Sequence, residues 1–165
     1  MRKTAILIVF LMFAAAAVSC SERTVDIEPS KVMEAIAKSA GLGEAGYESG
    51  ERELNADDAM LIYASGMAAP DMTPVRSYAI RPGTMESAAE AGIFRLHNKS
   101  DAEQVLEMCR RRIQSRQTYF AKYGAEQAKM ANNGEARSYG EYVYYVIAAD
   151  KDAVFKAIED MLRGK

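Results

Sequence analysis

In AGIFRLHNKSDAEQVLEMCRRRIQSRQ, residues 91–117, a strand and a helix meet at a sharp boundary, and the fold class follows from that junction. Ala89 to His97 alternates, with Gly92, Phe94 and Leu96 on one face and Ile93, Arg95 and His97 on the other. Asn98 and Lys99 break the alternation. Ser100 then stands as an N-cap with Glu103 three residues on, the pattern of a capping box. Beyond it Ala102, Val105, Leu106, Cys109, Ile113 and Phe120 recur at helical spacing, so this helix presents a long apolar stripe and runs toward Tyr123. Gly124 interrupts it. A further turn or two covers Gln127 to Ala131, and Asn132-Asn133-Gly134 is a stop.

The neighbouring segments repeat the pattern. Val75 to Arg81 alternates after Pro74, with Tyr78 and Ile80 on one face, and Pro82-Gly83 turns it into strand 89–97. Glu135 to Tyr139 is a short strand. Gly140 turns the chain into EYVYYVIAA, residues 141–149, which is β-branched and aromatic throughout. Asp150 or Asp152 caps a last helix carrying Val154, Phe155, Ile158, Met161 and Leu162. The order strand-strand-helix-strand-strand-helix predicts an α+β domain, a four-stranded antiparallel sheet with its helices on one face. Pro29 opens an N-terminal helix ending at Gly41. Gly43 to Glu53 reads as loop, and Asn55 caps a short second helix over 56–64. Strand 141–149 is apolar on both sides. One tyrosine set is therefore expected in the core, and the other partly exposed under an N-terminal helix or at a binding surface.

The first twenty residues give an address. Arg2 and Lys3 precede an apolar run from Thr4 to Phe13 that tapers through small residues into Ala17-Val18-Ser19-Cys20. This is the arrangement of a lipoprotein signal, in which the cysteine thiol receives a diacylglyceryl group and becomes the new N-terminus. Residues 1–19 are thus expected as signal peptide, 20–28 as a tether and 29–165 as one domain. Plain cleavage after Ser19 and a retained anchor are the alternatives; Thr4 to Val18 is shorter than the roughly 20 residues a spanning helix needs. The expected location is extracytoplasmic, on the cell membrane through palmitate-type acyl chains. Two cysteines, Cys20 and Cys109, leave no internal disulfide once Cys20 is lipidated. About 145 residues then remain, enough for one core.

Composition excludes several functions. A net charge of −2 argues against nucleic acid and against electrostatic adhesion to anionic lipid. The single histidine, His97, lies beside Asn98 at a strand end and reads as a surface residue. With one histidine and one free cysteine there is no zinc constellation, no nucleophilic triad and no phosphate-binding glycine loop, so no catalytic residue, metal or cofactor is expected. Cys109 lies on the apolar stripe and reads as a small buried hydrophobe. Asp57/Asp58 and Glu159/Asp160 are carboxylate neighbours on helix starts or faces. Arg110-Arg111-Arg112 with Arg116 is the densest charge run. It reads as a solvated face paired with Asp101, Glu103 and Glu107, with an anion-binding patch as the functional alternative. The candidate ligand-binding residues are Tyr142, Tyr144, Arg112 and Arg116, on an aromatic surface for a protein or glycan partner in the envelope. A non-enzymatic binding domain is the leading reading, and an envelope hydrolase using carboxylates or tyrosines the alternative.

AGIFRLHNKSDAEQVLEMCRRRIQSRQ, then QTYFAKYGAEQAKMANNGEARSYG, EYVYYVIAAD and KDAVFKAIEDML together resemble the bacterial family known as domain of unknown function 4358. The resemblance covers roughly residues 30 to 163 and is clearest from Ala91 onward. It implies a compact α+β domain in small exported proteins that usually bear a lipoprotein signal. It implies no active site.

Overall fold

The computed structural model describes residues 24–42, 47–49, 62–64 and 69–165. The signal segment with Cys20, the pair Asp57/Asp58 and most of the expected helix 56–64 lie outside the described residues, although Ile62 and Tyr63 are helical and buried.

The chain is an α+β domain built on an antiparallel sheet. Its elements are α1 (Pro29–Ala37), β1 (Tyr47–Ser49), β2 (Val75–Arg81), β3 (Glu90–Leu96), α2 (Ala102–Phe120), α3 (Ala125–Asn132), β4 (Glu135–Tyr139), β5 (Tyr142–Ile147) and α4 (Lys151–Leu162). The strand order is β1-β2-β3-β5-β4. The four expected strands form the sheet; β1, which the sequence reads as loop, adds three residues to the β2 edge. The two central strands are the most apolar, and every residue of β3 and β5 is buried.

Period-two alternation sorts the sheet into two faces. Tyr78, Ile80, Phe94, Leu96, Val143, Tyr145 and Ile147 pack against Val105, Leu106, Cys109, Ile113 and Phe120 of α2. Ala79, Ala91, Ile93, Tyr142, Tyr144 and Val146 pack against Val32, Met33 and Ile36 of α1 and Val154, Phe155, Ile158 and Leu162 of α4. The helices therefore cover both faces, which corrects the expectation of one helical layer. A strand apolar on both sides needs cover on both sides, and α4 follows β5 onto the face opposite α2. Tyr142, Tyr144 and Tyr145 are all at most 2% exposed. No half-exposed tyrosine set exists on β5.

Local details differ in two further places. The capping box at Ser100 does not form: a 3₁₀ turn over Lys99–Asp101 leads into α2, and the Ser100 hydroxyl donates to Asp101 instead. Asp150 does cap α4, accepting from the Ala153 amide at 3.1 Å. Gly92 is required by packing, since a Cβ there would lie 2.4 Å from the Tyr145 ring.

Candidate functional site

Strand β3 begins with a carboxylate on the α2 face. Glu90 has zero exposure, and an ionised carboxylate so placed must find full compensation. Arg112 supplies most of it, side-on: Nε donates to Oε1 at 2.6 Å and Nη2 to Oε2 at 2.7 Å. The third nitrogen, Nη1, donates to the Ile62 carbonyl at 3.1 Å. Such a two-point fork fixes the guanidinium plane. The Gly83 amide adds a bond to Oε2 at 2.9 Å, and Arg116 Nε lies 3.3 Å from the same oxygen. Arg116 also donates to the Thr84 and Ser87 carbonyls, both at 2.8 Å, and lies 4.8 Å from the Phe120 ring centre.

Two tyrosines complete the network. The Tyr145 hydroxyl donates to Glu90 Oε1 at 2.6 Å and lies 3.1 Å from the Tyr63 hydroxyl. Tyr145 has one hydroxyl hydrogen, already used on Glu90, so Tyr63 donates to Tyr145. Burial, then the negative charge of Glu90, pushes the Tyr145 phenol well above its ordinary value. Burial also raises Tyr63. Both rings therefore stay protonated donors. Burial works against the Arg112 charge, but the hydrogen bonds and charge of Glu90 outweigh it and raise its pKa. For Arg116 burial wins, aided by repulsion from Arg112, and its pKa falls.

Beside this network lies a cleft of about 530 Å³. Tyr63, Arg111, Arg112, Ser115, Thr118 and Tyr119 are among its lining residues, and among the described residues no carboxylate lines it. Glu90 thus sets one wall of the cleft by holding Arg112 and, through Tyr145, Tyr63. Arg111 is about half exposed, with the Glu107 carboxylate at 3.7 Å.

The four expected ligand-binding residues do not form one site. Arg112 lines the cleft, and Arg116 sits behind it in the network. Tyr142 and Tyr144 lie on the other face of the sheet, under α1 and α4. The Tyr144 hydroxyl lies 3.4 Å from Glu159, and that of Tyr142 is engaged by Ile27. The expected solvated arginine face is half right. Arg110 reaches Glu103 at 2.6 Å and Arg111 approaches Glu107, whereas Arg112 and Arg116 turn inward. Glu90 and Tyr63 were the residues missed. The available signal was an acidic residue opening a strand that is apolar but for Arg95, since a buried carboxylate needs a cationic partner.

His97 is exposed, and Cys109 is fully buried, with its thiol pushed up by burial. Among the described residues no group of three or more histidine, cysteine or acidic side chains is placed to hold a metal. No described helix is long and apolar enough to cross a membrane.

No curated protein and no solved structure matches the chain. The family described as Domain of unknown function (DUF4358) matches residues 50–148, a span that holds both central strands, α2 and the whole Glu90 network. The chain belongs to that family.

Proposed function

We propose that this protein is a lipid-anchored extracytoplasmic binding domain, without catalytic activity of its own, that takes an anionic group of a peptide or glycan in the cleft between Tyr63 and α2. The observation that carries the binding site is the lining: among the described residues it offers two guanidiniums, hydroxyl donors and two tyrosine rings, with no acidic side chain. Arginine forks recognise carboxylate and phosphate groups, and an aromatic wall adds contact area. Arg112 is pre-oriented by Glu90, so a ligand meets a fixed donor rather than a flexible one.

The hydrolase alternative would need a free base. Among the described residues Glu90 is the buried carboxylate beside the cleft, and both its oxygens are occupied by Arg112, Tyr145 and Gly83. A general base must reach the proton it removes, and this one is sealed. The anchor reading rests on the sequence at Ala17–Cys20 and on the exported character of the family that the chain resembles.

Two measurements test the reading. Cells grown on a labelled palmitate analogue should label the wild type but not Cys20→Ser; an unlabelled, fully soluble wild type overturns the anchor. Titration of residues 24–165 with acidic peptides and uronic-acid glycans should give binding that Arg111→Ala weakens. Binding unaffected by Arg111→Ala and by Thr118→Val overturns the cleft assignment.

A further inference from the structure

The segment expected as a free tether is docked from Thr24 onward. The Val25 amide donates to the Leu162 carbonyl at 2.8 Å. The Tyr142 hydroxyl accepts from the Ile27 amide at 3.0 Å and lies 2.8 Å from the Ile27 carbonyl, to which it donates. Arg95, paired with Tyr142 across β3 and β5, reaches Asp26 at 2.6 Å and Glu28 at 3.4 Å. Thr24 packs on the β4–β5 turn so closely that a Cβ on Gly140 would lie 2.2 Å from its hydroxyl. Gly140, at φ 60°, has the conformation glycine favours there. Backbone, hydroxyl and ionic contacts together clamp residues 24–28 as a strap across one end of the sheet.

That end is defined by the strands. The Leu96 amide bonds the Glu141 carbonyl there, and α4 returns to it at Leu162. Glu90 marks the opposite end of β3, with the β2–β3 loop, Arg112 and the cleft beside it. A strand of six or seven residues separates the two poles by roughly 20 Å.

From these contacts we infer that the strap pole lies against the headgroup surface of the bilayer and that the cleft points away from the membrane. The inference rests on the lipid anchor at Cys20 proposed above. Three residues, Ser21–Arg23, separate Cys20 from Thr24. Four Cα steps span at most about 14 Å when fully extended, and the headgroup layer itself is roughly 5–8 Å thick. A domain clamped at Thr24 has no slack to turn over. The residues this places at the lipid surface include Val25, an exposed apolar side chain, and the exposed Glu141, Arg163 and Lys165. The partner is the phospholipid surface itself, and a ligand reaches the cleft from the distal side.

The test uses the full chain, produced with its signal and reconstituted in phosphatidylcholine–phosphatidylglycerol vesicles carrying a nitroxide on the headgroup. Fluorophores are placed on Glu141→Cys or Lys165→Cys at the strap pole and on Met85→Cys at the distal pole; Cys109 is buried and stays unlabelled. Mass spectrometry of the same sample reads the acyl groups on Cys20. Quenching should be several-fold stronger at the strap pole. Inserting ten glycine and serine residues between Arg23 and Thr24 adds about 17 Å of flexible reach and should bring the two poles to near equality, with acylation and melting temperature unchanged. Equal quenching of both poles without the insertion, on protein whose acyl mass is confirmed, overturns the orientation and leaves the anchor standing. Absence of the acyl mass overturns the anchor, and the orientation with it.

Discussion

Arg112 and Glu90 sit at an α2–β3 contact with their groups coplanar enough for two short bonds, Nε to Oε1 at 2.6 Å and Nη2 to Oε2 at 2.7 Å, around a carboxylate with no exposure. Removing one member of such a pair leaves the other charged and buried, and the loss is typically about 3–5 kcal/mol. Arg112→Ala should show this loss in urea unfolding. Glu90→Gln should be similarly harmful, because it leaves Arg112 and Arg116 facing each other without their shared anion. If both variants unfold at the wild-type urea concentration, the network contributes nothing to stability.

Tyr145 lies on one sheet face and Tyr144 on the other, and both are fully packed. The double substitution Tyr142→Ser with Tyr144→Ser should therefore destabilise about as severely as Val143→Ser with Tyr145→Ser. Truncating one core aromatic alone typically costs about 3–5 kcal/mol. A mild effect of the first pair would mean that the face under α1 and α4 is not a core.

Much of this fold was legible in the sequence. β2 and α4 follow the hydrophobic period closely, Gly124 falls between α2 and α3, and Asn133-Gly134 falls where α3 ends. The side of the sheet on which each helix lands was not legible. Periodicity assigns residues to faces but does not say which helix covers which face, and the doubly apolar β5 was the one clue. At the site, α2 showed its arginine run, but the local spacing of Glu103 and Glu107 drew all of it to the solvent. The inward turn of Arg112 and Arg116 depends on Glu90, 22 residues before Arg112, and on the Ile62, Thr84 and Ser87 carbonyls. Such long-range partners leave no mark in a local pattern.

Cys109 has zero exposure on the α2 stripe, and burial pushes its thiol up, away from the thiolate form. Since the thiolate is the reactive species, native residues 24–165 should react with a thiol reagent far more slowly than the unfolded chain. Prompt modification of the native protein would show that α2 opens on the time scale of the assay.

Acid should weaken the β4–α4 edge through Glu135. Hydrogen bonds from Arg137 at 2.7 Å and from Lys151 at 2.5 Å hold its carboxyl below the ordinary 4.5. A carboxyl with a depressed folded pKa adds stability that is present above its unfolded value and is lost as pH falls through the folded one. Thermal midpoints measured from about pH 6 down to pH 3 should therefore drop most steeply below about 4.5, and Glu135→Gln should flatten that part of the curve. Identical curves for the two proteins would leave Glu135 without a part in acid unfolding.

Tyr142 holds the strap with one hydroxyl, which accepts from Ile27 and donates back to it, while its ring stays in the core. Tyr142→Phe keeps the ring and removes both bonds. The Ile27 amide and carbonyl can turn to water once the strap loosens, so the net loss should be small, about 1–2 kcal/mol in urea unfolding. The larger effect should be local. Amide exchange at Val25 and Ile27 should accelerate while β3 and β5 keep their wild-type protection, because a segment at the edge of the fold opens without the core. Asp26→Asn, which removes one exposed partner of Arg95, should move exchange in the same direction by less. Acceleration spread evenly over β3 and β5 would mean instead that residues 24–28 unfold only with the whole domain, and that the strap is part of the core rather than a clamp upon it.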